Sequence, residues 1–189
     1  MEALIQYLDT IQPLSSGLRD HLSGIVQAKV LKKKEFLLRA GRVCEYIYFI
    51  EKGLLRCFYL KDETEVSSWF MKEGDVAIAI NSFFNQTPSY ESIQAIEATQ
   101  LYYISYEDLQ LIYKLFPEFN IVARLLTQRY YSLSEERLYS IRMQRAEERY
   151  NFLLQNVPEL VRRVPASYIA SYLSITLETL SRIKNRKLV

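Results

Sequence analysis

The sequence predicts an α+β protein: an all-β middle with helices on both sides, and a long helix leading into a small all-α end. Three observations carry this. From about Ala28 to Ile104, short runs rich in aromatic and branched residues alternate with turn signals, the pattern of a sandwich, barrel or roll. From Glu118 to about Met143 the chain contains no glycine or proline. From Val164 to Lys184, two short amphipathic segments flank a tight turn.

Each element can be justified in order. Before Gln27 the spacing of Leu4, Ile5, Leu8 and Ile11 is helical, and Ser16 is a candidate cap for a second helix bearing Leu18, Leu22, Ile25 and Val26. Strands are expected at Glu35–Leu38, Tyr46–Ile50, Leu54–Leu60, Glu65–Phe70, Ser92–Ala95 and Leu101–Ile104, with a hairpin turn at Lys61-Asp62-Glu63. Tyr106–Lys114 reads as a short helix stopped before Pro117. The stretch from Glu118 to Met143 makes about seven turns, longer than the usual run of about 10–14 residues. Val122, Leu126, Leu133 and Ile141 form an apolar stripe along it, with Ile121, Leu125 and Tyr139 beside. Such a helix is expected to pack against a second copy; the alternative is packing onto its own β-domain. Helices at Ala146–Gln155 and Pro158–Arg163 follow.

Composition narrows the function classes. With 189 residues, 24% charged and 49% apolar, the chain has the make-up of an ordinary globular protein of one large or two modest domains. Its net charge of +2 says little, but its distribution is uneven. From Arg162 onward six Lys/Arg face one acid, Glu178, a local +5 that leaves −3 for the first 161 residues. A basic end on an acidic body suits a polyanion, or else a solvated tail. The acidic, amphipathic start is no secretory leader and no apolar run spans a bilayer, so a cytoplasmic protein is expected. Two cysteines, Cys44 and Cys57, give no disulfide framework, and with the lone His21 they make no closed metal site. No cofactor is expected. Nucleophile elbow, Walker loop, HExxH and dinucleotide fingerprint are all missing, so an enzyme is not expected.

The last segment carries the chemistry. Pro165 suits the first position of a helix, Ile169, Ala170 and Leu173 would face inward, and small Ala170 lets a second helix approach. After Ser174-Ile175, Thr176 can cap the next helix through its hydroxyl, while Leu180 and Ile183 point to the core. Glu178, Ser181, Arg182 and Asn185 then share the opposite face. Arginine suits guanine, asparagine adenine and glutamate the cytosine amino group. Lys184, Arg186 and Lys187 add attraction for phosphates. Taken alone, Glu178 and Arg182 would be an ordinary salt bridge on an exposed helix.

The order of these pieces resembles the CRP/FNR family, above all its compact members in Bacteroidetes-type bacteria. Tyr48-Phe49-Ile50-Glu51-Lys52-Gly53-Leu54-Leu55-Arg56 resembles the family's "YFI.KG..R"; Glu91-Ser92-Ile93-Gln94-Ala95 resembles "ESIQA"; and Ala146-Glu147-Glu148-Arg149-Tyr150 resembles "AEERY". Ile169-Ala170-Ser171-Tyr172-Leu173 followed by Glu178-Thr179-Leu180-Ser181-Arg182 resembles "iAsYLgi…EtlSR". The resemblance implies a cyclic-nucleotide-binding-like jelly roll (a double-stranded β-helix) over 1–117, a dimerisation helix over 118–143 and a helix-turn-helix domain over 144–189. It implies a homodimer on double-stranded DNA, with Thr176, Leu177, Glu178, Ser181, Arg182, Asn185, Arg186 and Lys187 as the binding residues and RNA polymerase as a candidate partner.

Two departures qualify this. Ala79 stands about where the family's ribose-binding Glu falls, and Gln86–Ser92 lacks the phosphate-binding Arg and offers Glu91 instead. A cyclic-AMP site is therefore not expected, and any effector pocket would be built on Ala79, Phe83, Phe84, Tyr90 and Glu91, aromatics that otherwise simply fill a core. At the other end, Leu177 replaces a polar base reader, and too few residues follow Lys187 for a β-hairpin wing. A DNA-binding regulator is the leading reading; the alternative is a sensory module whose helical tail binds a protein partner.

Overall fold

The computed structural model describes residues 1–186. Two helices, α1 (Glu2–Ile11) and α2 (Ser16–Ile25), precede eight strands. These are β1 (Gln27–Leu31), β2 (Phe36–Leu38), β3 (Tyr46–Lys52), β4 (Leu55–Lys61), β5 (Thr64–Met71), β6 (Val76–Ala77), β7 (Ser92–Ala95) and β8 (Thr99–Ser105), with α3 (Ile80–Asn85) between β6 and β7. They form two four-stranded sheets, ordered β1-β8-β3-β6 and β2-β7-β4-β5, with every pairing antiparallel. Six helices follow: α4 (Tyr106–Leu115), α5 (Phe119–Met143), α6 (Ala146–Asn156), α7 (Pro158–Arg163), α8 (Ala166–Tyr172) and α9 (Leu177–Arg186).

Local chemistry explains the punctuation. Ser15, not Ser16, caps α2, accepting from the Leu18 N–H at 3.2 Å. A capping box of Ser105 and Asp108 opens α4. The β4–β5 hairpin turns on Asp62 and Glu63, both at positive φ (48° and 63°), the primed geometry that matches strand twist. Gly53 is required where it stands. At φ 110° its missing Cβ would lie 2.5 Å from Thr99 Oγ1 and 2.8 Å from the Ala98 carbonyl oxygen.

Two buried clusters hold the chain together. The larger joins the inner faces of both sheets to α1, α2, α4 and the start of α5, through residues such as Leu18, Ile50, Leu55, Ile93 and Ile112. The stripe along α5 is therefore divided. Val122 is fully buried against the roll and Leu126 packs beside it, whereas Ile121, Tyr131, Leu138, Tyr139 and Met143 of the same helix are exposed. The physical reason is competition: the β-roll already covers Val122 and Leu126, the first half of the stripe that sequence spacing assigned to a second copy. The smaller cluster joins Leu54, Phe70 and Ile96 of the roll to Tyr150, Leu153, Leu160, Val164, Ile169, Ala170, Leu173, Leu180 and Ile183. Fully burying a side chain such as Leu54 contributes about 1.5–3 kcal/mol.

Polar contacts fix the same junction. Arg56 is fully buried; its Nε donates to Ser67 Oγ at 2.8 Å, its Nη1 to Glu65 at 2.6 Å, and its guanidinium lies 3.6 Å from the centre of the Tyr168 ring. Ser171 on α8 acts on β5 as a backbone group would, accepting from the Ser67 N–H at 2.9 Å and donating to the Glu65 carbonyl at 3.1 Å. Arg163 forks between Glu73 and Glu97, at 2.8 and 2.6 Å.

The Arg163 hydrogen bonds hold the Glu73 carboxyl down at about 2, from 4.5, helped by the Gly53 N–H and opposed by partial burial. A depressed folded value gives stability that is complete above the unfolded value and is lost as pH falls toward the folded one. Arg163→Met is therefore expected to lower the melting temperature by a nearly constant amount above about pH 5, a gap that closes toward pH 2. The effect is modest because the pair is partly exposed. Melting curves across that window check it; a gap unchanged at pH 2 would contradict it.

Candidate nucleic-acid interface

The two helices α8 and α9 meet around the turn Leu173-Ser174-Ile175-Thr176. Pro165 sits one position earlier than sequence spacing suggests, as the N-cap of α8 rather than its first helical residue. Ser174 takes φ 55°, and the turn closes through Ser174 N–H to the Ser171 carbonyl and Ile175 N–H to the Ala170 carbonyl, each 3.0 Å. Thr176 caps α9, its hydroxyl accepting from the Thr179 N–H at 3.2 Å. Ile169, Ala170, Leu173, Leu180 and Ile183 are all buried.

With that side fixed, the other faces solvent. Thr176, Leu177, Glu178, Ser181, Arg182, Asn185 and Arg186 are all exposed, Leu177 to 47%. Lys187 lies outside the described residues. No ion pair joins Glu178 to Arg182 among the described residues; Arg182 Nη2 donates to Thr179 Oγ1 at 3.1 Å. The Glu178 carboxyl is held below its ordinary range first by its own backbone N–H and then by the Thr176 hydroxyl. It remains an acceptor at neutral pH. The Lys184 ammonium lies 6.0 Å from the centre of the Tyr150 ring.

Two arginines that sequence reasoning passed over set the position of this unit. Arg137 on α5 donates to the Tyr172 carbonyl at 2.7 Å and stacks 3.6 Å over the Tyr172 ring. Arg149 on α6 donates to the Leu173 carbonyl at 2.9 Å and the Gln144 carbonyl at 2.6 Å. Both therefore neutralise the C-terminal end of α8, where unpaired carbonyls concentrate negative potential. Burial pushes Arg137 below its ordinary value. Arg163, counted above with the basic end, is committed to Glu73 and Glu97 instead. Only Arg149 carried a signal, as the arginine of the "AEERY" stretch.

The second candidate region is a cavity of about 640 Å³ between the roll and α5. Phe84, Tyr90 and Glu91 line it; Ala79 and Phe83 do not. Both of those are buried in the larger core, Phe83 edge-on to Phe84 and Tyr106 with ring centres 5.3 and 5.4 Å apart. Among the described residues no cluster of His, Cys, Asp and Glu could hold a metal ion, and no helix is long and apolar enough to cross a membrane.

A double-sheet roll, a long helix and an exposed-faced helix-turn-helix together define a class, and comparison with known proteins agrees with it. Residues 28–114 match the cyclic nucleotide-binding domain family. The transcriptional activator protein Anr of Pseudomonas protegens is 26% identical over 92% of this chain and 77% of its own. FixK2 of Bradyrhizobium japonicum shares the fold with a TM-score of 0.72 at 22% identity, over 86% of this chain and 84% of that one. A CRP/FNR-family regulator of Eubacterium rectale does so with a TM-score of 0.74 at 18% identity, over 96% and 87%. In fold the chain is similar to transcription regulators of the CRP/FNR type, and its residues 28–114 match the nucleotide-binding-like roll.

Proposed function

We propose that this regulator binds double-stranded DNA directly, as a homodimer on an inverted-repeat operator. The observation that carries the reading is the exposed face of Glu178, Ser181, Arg182 and Asn185, held outward by buried Leu180 and Ile183. In this reading Arg182, Asn185 and Glu178 meet base edges in the major groove. Thr176, Ser181, Arg186 and Lys187 meet phosphates, and Leu177 packs on a thymine methyl. Residues 1–117 form the sensory roll, 118–143 the dimerisation helix and 144–189 the DNA-binding unit. RNA polymerase is a candidate further partner at such an operator. No catalytic step is assigned to the chain.

Selection of bound duplexes from a random pool tests this. Enriched sequences are expected to contain two inverted half-sites with centres about 34 Å apart, one helical turn, as two recognition helices in successive major grooves require. A pool with no enrichment would overturn the reading and favour a protein partner for α9.

A further inference from the structure

The cavity beside α5 is walled mainly by apolar side chains. Trp69 and Met71 of β5 form one wall and Leu126 and Tyr130 of α5 another, while Phe84 and Tyr90 stand at the mouth, 49% and 63% exposed. The Tyr130 hydroxyl accepts from the Val76 N–H at 2.8 Å, which pins the helix wall to the roll. Its volume of about 640 Å³ falls within the range of about 300–1,000 Å³ typical of small-molecule sites.

Glu91 is the single charged side chain among the described residues lining it. Its Oε1 accepts from the Ser68 hydroxyl at 3.1 Å. Burial pushes the nearby Cys57 thiol up to about 12, so it stays neutral. A cyclic nucleotide brings a phosphate anion, which an enclosed site must meet with a positive partner. Among the described residues the lining offers no Lys, Arg or His, and a carboxylate repels the phosphate instead. Ala79, at the ribose position implied by the family resemblance, is buried and has no polar side-chain atom. The residues present do not fit a cyclic nucleotide.

We propose that this cavity binds a largely apolar small molecule that carries no negative charge and presents an N–H donor to Glu91. Aromatic and aliphatic walls supply the affinity by removing apolar surface from water, including the exposed rings at the mouth. Glu91 supplies the orientation, and it excludes anions.

Two dyes with one skeleton make the test, using the full chain. N-phenyl-1-naphthylamine is neutral with one N–H; 8-anilinonaphthalene-1-sulfonate adds an anionic sulfonate. The neutral dye is expected to bind saturably with a blue-shifted emission, and the sulfonate at least about tenfold more weakly. Glu91→Gln keeps an acceptor but removes the charge, so it should narrow that gap, chiefly by strengthening sulfonate binding. Leu126→Trp, shown by circular dichroism to be folded, should weaken both dyes. The proposal falls if the sulfonate binds as tightly as the neutral dye, if the neutral dye does not bind, or if cyclic AMP displaces it. It also falls if dye binding is lost as protein concentration rises, because a second copy would then be the occupant. No arm involves DNA, so the outcome is independent of the operator reading.

Discussion

Replacing Arg182 by alanine is expected to weaken operator binding by roughly 1–3 kcal/mol per half-site and to relax preference at one base position. Because a dimer engages two half-sites, affinity should fall between roughly 30-fold and 10⁴-fold. The arginine is suited to the task by its surroundings. It is exposed and, among the described residues, has no ion pair with Glu178 and one side-chain hydrogen bond, to the Thr179 hydroxyl. A single hydrogen bond to a neighbouring side chain is readily exchanged for a bidentate contact with guanine. Fluorescence anisotropy on operator and scrambled duplexes across a salt series measures the change. Lys187→Ala is the companion: binding should weaken alike on both duplexes, with the salt slope reduced by about one. If Arg182→Ala altered neither affinity nor preference, α9 would not be the recognition helix.

The second large effect concerns assembly. Tyr131→Glu combined with Leu138→Glu is expected to convert dimers into monomers and lower operator affinity by about 10²–10⁴-fold, the usual gain from linking two binding units. Both residues are exposed apolar positions seven apart on α5, 67% and 41% accessible. Acidic substitutions there would place like charges across the proposed two-fold interface and leave the buried core residues intact, although Tyr131 also lines the cavity beside α5. Val122→Glu serves as the contrast. That residue is fully buried against the roll, so a charge there should unfold the protein rather than dissociate it. Sedimentation and melting curves separate the two outcomes; a double variant that still sediments as a dimer would place the interface elsewhere.

The elements themselves were legible in the sequence, because each rests on local signals. The hairpin at Asp62-Glu63, the Thr176 cap and the inward Leu180 and Ile183 follow from turn chemistry and spacing alone. Strand β1, exposed at four of its five residues and so without an alternating pattern, was not anticipated, nor were the short β6 and the six-residue α3, which have too few residues to show a period. On the long helix, spacing identified an apolar stripe but could not say what covers it. Val122 and Leu126 belong to the roll because strands distant in sequence reach them. The exposed face of α9 could be read directly, since exposure follows from its own helix. The supports behind it could not. Arg163 meets partners 66 and 90 residues away, and Arg137 meets one 35 away, separations over which no periodicity carries information. In the cavity, Glu91 was legible as a missing-arginine argument, whereas the contribution of Trp69 and Tyr130 depended on how β5 and α5 face each other.

The cluster that joins Leu54, Phe70 and Ile96 to the last helices also bears on how freely such a protein can be rebuilt. A DNA-reading unit attached by a slack tether could be exchanged as a cassette, with only its linker to match. Here three of the apolar residues that seat the unit are supplied by the roll, and so are Arg56 and the β5 backbone that Ser171 engages. A chimera that moves residues 144–189 onto another roll leaves those partners behind, and the transplanted helices expose Ile169, Leu173 and Val164 to water or slide to a new seat. If the proposed reading of α9 holds, swapping operator specificity would be simpler by exchanging its outward residues alone, because the exposed face and the face that anchors the unit lie on opposite sides of the helix.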